Sequence, residues 1–192
     1  MTVKTYDALP LNLKETARYA RCTPEALTND FSECLAECRR AFTYRACYEV
    51  FPLSAAGDAL DFGFTVIRSA DLARNLRGCA SAIVFAATVG MGIDVLIRRY
   101  SLLSPAKSLV CQAAGSAAVE TLCDALCRDL PDEYGELRPR FSPGYGDLPL
   151  ETQRDIFRAL APERALGLTL GASLLMTPTK SVTAFTGIRD PR

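Results

Sequence analysis

Apolar positions near the start of the chain recur at the spacing of an amphipathic helix. Thr23 and Pro24 suit an N-cap and a first helical position. The apolar positions that follow are Leu27, Phe31, Cys34, Leu35, Cys38 and Phe42. Steps of three and four residues predict one helix across this segment.

Two stretches of alternating apolar residues come next. One runs from Arg45 to Leu53 and the other from Leu60 to Val66, with Ser-Ala-Ala-Gly-Asp between them. Alternation on both sides of a turn-rich break predicts a hairpin with one buried face. Ser69 is placed to cap a short helix over 71–76, which Gly78 would end.

The middle of the chain carries the strongest hydrophobic pattern. Residues 82–89 are apolar at successive positions and rich in strand formers, which predicts a central strand. The sequence Gly90-Met-Gly92 then turns the chain into a helix over 93–100. Ser104 and Pro105 suit the start of the longest helix, which small and apolar residues extend to about Arg128.

The last third begins with a segment rich in proline, glycine and tyrosine. This segment, 132–149, has neither the apolar spacing of a helix nor the alternation of a strand, and it is predicted as a loop. A helix over 150–160, a strand over 166–170 and a strand over 181–188 follow, with a turn around Pro178.

The alternation of helices and strands predicts an α+β fold in which a mixed or antiparallel central sheet is flanked by helices. We expect one domain over residues 1–192. Its N-terminal part, to about residue 68, contains the predicted helix and hairpin, and its core, 69–192, contains a candidate ligand loop at 137–149.

The composition supports a folded domain and excludes several classes of partner. Of 192 residues, 49% are hydrophobic and 23% are charged, and 22 basic residues balance 22 acidic ones. Zero net charge gives no electrostatic reason to expect nucleic acid or an anionic membrane as a partner. The first residues lack the pattern of an export signal, so a cytoplasmic location is expected. The apolar stretch 80–93 is too short to span a bilayer and is predicted as buried core.

The cysteine and histidine content limits which metal sites and catalytic mechanisms the chain can support. All eight cysteines are expected to be free thiols in the cytoplasm. The pairs Cys34/Cys38 and Cys123/Cys127 could each present two soft ligands from one helix face, but packing as small apolar residues is the favoured interpretation. The chain has no histidine, which excludes catalytic triads built on histidine and HExxH zinc sites.

One segment resembles a known family. The sequence from Leu137 to Leu150 is similar to the S-adenosylmethionine-binding stretch of the reactivation domain of cobalamin-dependent methionine synthase, in which an arginine precedes Gly-Tyr by three residues. Arg140, Gly144 and Tyr145 match this pattern. After Tyr145 the large fused proteins carry a continuation with cysteine and histidine, whereas this chain has Gly-Asp-Leu.

Further stretches extend the resemblance over most of the chain. Those downstream of the loop are 167–170, 173–176, Pro178 and 181–182, and those upstream are 71–79, 86–90 with Asp94, and 114–120. The upstream stretches resemble short members of the family that lack the catalytic and cobalamin modules.

The resemblance implies an S-adenosylmethionine site at the loop. Arg140 would hold the ligand carboxylate, Pro143 and Gly144 would let the backbone approach the adenine or ribose, and Tyr145 would offer an aromatic face. Glu120, on the long helix, would meet the ammonium group. The structural alternatives are a solvated arginine, a packed ring at a turn and an exposed glutamate.

The resemblance also implies a function, namely reductive methylation of cob(II)alamin with S-adenosylmethionine. Because the chain lacks the Asp-x-His-x-x-Gly motif for cobalamin, the corrinoid would arrive on a partner, such as the corrinoid-binding subunit of a split methionine synthase or a similar methyl carrier. A flavodoxin-like protein would supply the electron. The alternative is a module that binds S-adenosylmethionine or docks on a corrinoid protein as a sensor, without turnover.

A Rossmann-type methyltransferase would also bind S-adenosylmethionine at a glycine turn, and Gly90-Met-Gly92 raises that possibility. Val95 replaces the third glycine of the Gly-x-Gly-x-x-Gly pattern. A turn from strand to helix within the core is therefore the favoured interpretation.

Overall fold

The computed structural model describes residues 1–189, and residues 190–192, which the predicted domain includes, lie outside the described part. The strands are β1 (Thr2–Tyr6), β2 (Tyr44–Pro52), β3 (Ser54–Ala56), β4 (Ala59–Asp61), β5 (Val66–Arg68), β6 (Cys79–Thr88), β7 (Thr169–Leu170), β8 (Met176–Thr177) and β9 (Ser181–Arg189). The helices are α1 (Leu13–Ala20), α2 (Pro24–Asp30), α3 (Ser32–Ala41), α4 (Ala70–Asn75), α5 (Gly92–Leu103), α6 (Pro105–Asp129), α7 (Pro131–Tyr134), α8 (Thr152–Leu160) and α9 (Pro162–Leu166).

The centre of the molecule is a four-stranded antiparallel sheet in the order β1-β2-β6-β9. Strand β6 has a partner on each side and is fully buried from Ala82 to Thr88. The prediction of a central strand is therefore confirmed. The predicted α+β fold, with an antiparallel sheet flanked by helices, is confirmed as well.

Alternate side chains of β6 enter two different cores, as expected for a strand that is covered on both faces. Ile83 and Phe85 pack with α1, α3, α5 and α6 on one face. Val84 and Ala86 pack on the other face with α4, α8 and the small three-stranded sheet β3-β4-β5. The long helix α6 is thus buried against the sheet, and its small residues allow close approach.

The predicted helix through Phe42 is interrupted. Two helices, α2 and α3, meet at Phe31, whose φ of −128° and ψ of 18° are not helical. The sequence Thr-Asn-Asp precedes this break, and these residues favour caps and turns because their side chains compete for backbone hydrogen bonds. Apolar spacing continues across the break because both helices pack on the same core.

The predicted hairpin between 45–53 and 60–66 is wrong. Strand β2 pairs with β1 and β6, so its partners come from the N-terminus and from the middle of the chain. The local hairpin is formed by β3 and β4 around Gly57, which has a φ of +66°. Both faces of β2 carry buried side chains, which places this strand inside the main sheet rather than in a two-stranded ribbon.

Several other elements were predicted correctly. Helix α4 is capped by Ser69, α5 follows the glycine turn, α6 begins after Ser104, and β9 matches the predicted last strand. The strand predicted over 166–170 is mostly wrong because Pro162 starts helix α9 there and only two residues are extended.

The stretch 80–93 comprises most of β6, the turn that follows it and the first two residues of α5, and residues 82–90 are buried, in agreement with the prediction of buried core. Within residues 1–189, none of the helices combines the length and the apolar character that a membrane crossing requires.

Candidate functional site

The edge loop, residues 137–149, lies along the outer edge of β9. Leu137 pairs with Ile188, and Phe141 pairs with Phe185, both in antiparallel fashion. The amide of Phe141 donates to the carbonyl of Phe185 at 2.8 Å, and the reverse hydrogen bond measures 2.9 Å. The first half of the loop is therefore fixed to the central sheet by backbone contacts.

Arg140 leaves this loop toward helix α6, where it meets two carboxylates. Its Nη2 atom donates to Oε2 of Glu120 at 2.5 Å, and its Nη1 atom donates to Oδ1 of Asp124 at 2.5 Å. Burial alone would lower the pKa of Arg140, but the hydrogen bonds to Asp124 and Glu120 outweigh it, and the net effect is a raised pKa. Arg140 therefore remains a cation held by an acidic pair.

The acidic pair and the arginine form one cluster with a formal charge of minus one. Glu120 and Asp124 are one helical turn apart, so their side chains share a face of α6. The Arg140 side chain is 27% exposed, and those of Glu120 and Asp124 are 43% and 65% exposed. A solute can therefore reach all three groups.

Two open cavities border this cluster. The first has a volume of about 720 Å³ and is bounded by Arg140 together with Pro131. The second has a volume of about 290 Å³ and is bounded by Glu120, Asp124 and Tyr19. The ion pairs thus join the rims of two open cavities, and the first of these alone has the size of a small-molecule site.

The second half of the edge loop is a tight turn at Gly144. This residue has a φ of +85°, and its amide donates to the carbonyl of Leu148 at 2.9 Å. A Cβ atom here would lie 3.2 Å from Cδ1 of Leu150. Pro143 is buried, whereas Gly144 is exposed. The turn therefore needs glycine for its conformation, and it leaves the backbone accessible.

Tyr145 presents its ring to solvent. Its residue surface is 71% exposed, and its ring packs edge-to-face on Phe141 with centroids 5.6 Å apart. Neither Gly144 nor Tyr145 bounds either of the two cavities beside the acidic cluster. The described structure therefore does not join the Gly-Tyr turn to Arg140 in one cavity.

Asp147 fastens the end of the edge loop to the start of α4. Its carboxylate accepts hydrogen bonds from the Ser69 hydroxyl, from the amide of Ala70 at 2.7 Å and from the amide of Asp71 at 3.2 Å. The hydrogen bond from Ser69, followed by those from the amides, lowers the pKa of Asp147. Ser69 also caps α4 by accepting from the amide of Leu72 at 3.0 Å. The loop is thus anchored at both ends.

Sequence reasoning named Arg140 and Glu120 but missed Asp124, Asp147 and Ser69 as part of this arrangement. The four-residue step from Glu120 could have indicated Asp124, since residues at that spacing share one helix face. The sequence gave no sign that Asp147 would meet Ser69, because 78 positions separate them. The roles of Arg140, Pro143, Gly144, Tyr145 and Glu120 toward a ligand stay predictions.

The glycine turn after β6 is explained by packing. A Cβ atom on Gly90 would lie closer than 3.0 Å to the hydroxyl of Thr43, and one on Gly92 would lie closer than 3.0 Å to the carbonyl of Ala41. Both neighbours of β6 are antiparallel. A Rossmann site needs a parallel sheet and a glycine turn open to the ligand, so this arrangement contradicts it.

Comparison with known proteins identifies the fold. No family model matches the sequence, and no curated protein is detectably similar to it. Among solved structures, the reactivation domain of MetH bound to AdoHcy (S-adenosylhomocysteine) matches with a TM-score of 0.70 over 100% of this chain and 80% of that chain, at 15% sequence identity. The chain therefore has the fold of the MetH reactivation domain, as the sequence resemblance implied.

Proposed function

We propose that this protein binds S-adenosylmethionine at the edge loop and supports reductive methylation of cob(II)alamin on a separate corrinoid protein. The observation that carries the proposal is the acidic cluster of Arg140, Glu120 and Asp124 beside the loop. The likeness in fold to a domain whose solved structure contains S-adenosylhomocysteine supports it independently.

The charge of the cluster suits this ligand. S-adenosylmethionine carries a carboxylate, an ammonium and a sulfonium, so its net charge is plus one, while the cluster has one cation and two anions. The ligand carboxylate would take the place of one acidic side chain on Arg140, and the carboxylate thereby released would meet the ammonium. The ligand carboxylate, the ammonium and the released acidic side chain then each have a charged partner, and the charge of the sulfonium balances the net negative charge of the cluster.

The rest of the loop suits the nucleoside. Gly144 has no side chain, so a molecule that lies on the turn can approach its exposed backbone closely, and the ring of Tyr145 offers an aromatic face. The Gly-Tyr turn would have to close toward Arg140 for one ligand to touch both. This closure is part of the proposal.

The chain itself would orient and shield the reacting groups. In the overall reaction, cob(II)alamin gains one electron and the methyl group of S-adenosylmethionine, and S-adenosylhomocysteine leaves. The corrinoid would come from a partner such as the corrinoid-binding subunit of a split methionine synthase or another methyl carrier, and a flavodoxin-like donor would supply the electron. No proton is transferred in this balance, which agrees with a chain that contains no histidine.

Isothermal titration calorimetry with S-adenosylmethionine and S-adenosylhomocysteine tests the binding step. We expect a micromolar dissociation constant, about −8 kcal/mol, for the wild-type protein. Arg140→Ala should weaken binding at least tenfold, and Arg140→Lys should weaken it as well, because lysine cannot hold a carboxylate with two parallel hydrogen bonds. Arg98→Ala, at an exposed position on α5, is the matched control and should bind normally.

Absence of binding to the wild-type protein, or equal affinity in Arg140→Ala, would overturn the proposed site. Circular dichroism and thermal melting of each variant keep a loss of binding distinct from a loss of fold.

A second experiment separates turnover from sensing. The protein is mixed with a cob(II)alamin-loaded corrinoid protein, reduced flavodoxin and S-adenosylmethionine carrying a labelled methyl group, and label on the corrinoid is measured. Methylcobalamin that forms only in the presence of the protein supports the enzyme. Binding without methyl transfer to any carrier contradicts turnover and favours the sensor module.

A further inference from the structure

Three cysteine thiols meet in the core between α3 and α6. The Sγ atom of Cys111 lies 3.6 Å from that of Cys34 and 3.6 Å from that of Cys38. All three sulfur atoms lie within 4.8 Å of one another. The residues are 1%, 0% and 0% exposed for Cys34, Cys38 and Cys111, so water does not reach the cluster.

The spacing of the sulfur atoms matches that of ligands around one metal ion. Metal–sulfur bonds of about 2.3 Å place neighbouring sulfurs about 3.8 Å apart in a tetrahedral site and about 4.0 Å apart in a trigonal one. Two of the sulfur–sulfur distances are 3.6 Å, and all three Sγ atoms lie within 4.8 Å of one another, so one metal ion could contact all three. Without a metal, the same contacts are hydrogen bonds between thiols, in which Cys38 donates to Cys111.

We propose that Cys34, Cys38 and Cys111 bind one soft d10 metal ion, Cu(I) or Zn(II), through their thiolates. Thiolates select these ions over harder ones. Residues 1–189 contain no further cysteine, histidine or carboxylate that joins the three sulfurs, whereas closed zinc sites take four such ligands. Three-coordinate binding therefore favours Cu(I).

Lys107 lies one helical turn before Cys111 on α6, and its ammonium lies 5.5 Å from the ring centroid of Tyr100. The carbonyl of Lys107 lies 3.8 Å from the Cys34 Sγ atom and is the one oxygen that the structure pairs with this sulfur. Without a metal, this carbonyl accepts a hydrogen bond from the Cys34 thiol.

Binding would exchange protons for the metal without any change in oxidation state. The three cysteines are buried, and a buried thiol stays protonated when no metal is bound. Each coordinating thiol must therefore release its proton to solvent when the ion binds. The affinity should therefore rise with pH.

The ion would fasten α3 to the long helix α6. Cys34 and Cys38 share one face of α3, and Cys111 lies on the facing side of α6, 73 or more positions away along the chain. An ion that binds the folded state alone stabilises the fold by mass action. This site does not involve Arg140 or the edge loop, so its test is independent of the test of the proposed function.

The test uses the full chain, stripped of metal in denaturant and refolded under anaerobic reducing conditions with Cu(I) or with Zn(II) in separate arms. Native mass spectrometry counts the ions per chain, and competition with a chromophoric chelator gives the affinity. We expect one ion per chain, and X-ray absorption should show three sulfur ligands. Cys111→Ala and Cys38→Ser should each weaken binding at least a hundredfold.

Cys47→Ala is the matched control, because Cys47 is equally buried but packs on the opposite face of the sheet. It should bind the ion as the wild type does. The proposal is overturned if the refolded wild type binds neither ion, if Cys111→Ala binds as tightly as wild type, or if Cys47→Ala loses the ion to the same extent. Thermal melting without metal confirms that each variant folds.

Discussion

The guanidinium of Arg140 and the carboxylate of Glu120 lie 2.5 Å apart, although the two residues are 20 positions apart along the chain. The sequence analysis predicts that Arg140 binds the carboxylate of the ligand and that Glu120 binds its ammonium. In the free protein they neutralise each other, so a ligand that carries both a carboxylate and an ammonium would bind by exchange. Ligand selectivity should then depend on the acidic partners as well as on the arginine.

Removing one carboxylate of the cluster should therefore weaken binding of S-adenosylmethionine. For Glu120→Gln or Asp124→Asn we expect a loss of about 1.5 kcal/mol, roughly tenfold, because one charge-assisted hydrogen bond disappears. The loss should be smaller for S-adenosylhomocysteine, which lacks the sulfonium charge. Calorimetry with both ligands measures the difference.

Glu25→Gln, at an exposed position on α2, is the control for these variants and should leave both affinities unchanged. Equal losses for the two ligands would contradict the charge argument.

Ser69 should matter more for stability than an ordinary helix cap. Ser69→Ala removes the cap of α4 and the hydrogen bond to Asp147, so we expect the free energy of unfolding to fall by about 1–2 kcal/mol. Thr23→Ala removes only the cap of α2 and should cost less. Urea denaturation compares the two variants, and equal costs would mean that the link to the edge loop contributes nothing.

Asp129 should make the stability fall in acid. Hydrogen bonds from Lys4, at 2.7 Å, and from Tyr6, at 2.9 Å, lower the pKa of Asp129. A carboxyl group whose folded pKa is lowered stabilises the fold at pH values above its unfolded pKa, about 4, and loses that contribution as the pH falls through the folded value. Asp129→Asn should therefore destabilise the protein at pH 7, and the difference from wild type should shrink below about pH 4.

Urea denaturation at several pH values measures this difference. Asp30→Asn, at an exposed aspartate for which residues 1–189 provide no ion pair, should show no comparable trend. A constant difference between wild type and Asp129→Asn across the range would contradict the prediction.

A side chain at the glycine turn after β6 should lower the stability of the fold, because it would collide with the neighbouring backbone. Gly92→Ala places a Cβ atom against the carbonyl of Ala41, and we expect it to cost about 2 kcal/mol or more of unfolding free energy. In Gly171→Ala the new atom meets only ordinary contacts, so the cost should be small. Thermal melting ranks the two. A stable Gly92→Ala variant that has lost S-adenosylmethionine binding would instead place the ligand at this turn.

Elements set by local pattern could be predicted from the sequence. The cap at Ser104 and the run of small apolar residues after it determine α6, and a strand that is apolar on both faces must lie inside a sheet, as β6 does. The pattern of Arg140, Gly144 and Tyr145 likewise predicted a ligand loop and, through the family resemblance, the fold.

Contacts between distant parts of the chain were decided only by the tertiary structure. Strand β2 pairs with β1 and β6 and not with β3, the next strand along the chain. Arg140 forms an ion pair with Asp124 as well as with Glu120, and Cys111 contacts two cysteines of helix α3. Periodicity tells which face of an element is buried, but not which element covers it. That choice depends on the packing of the whole core, and it brought together both the acidic cluster and the three thiols.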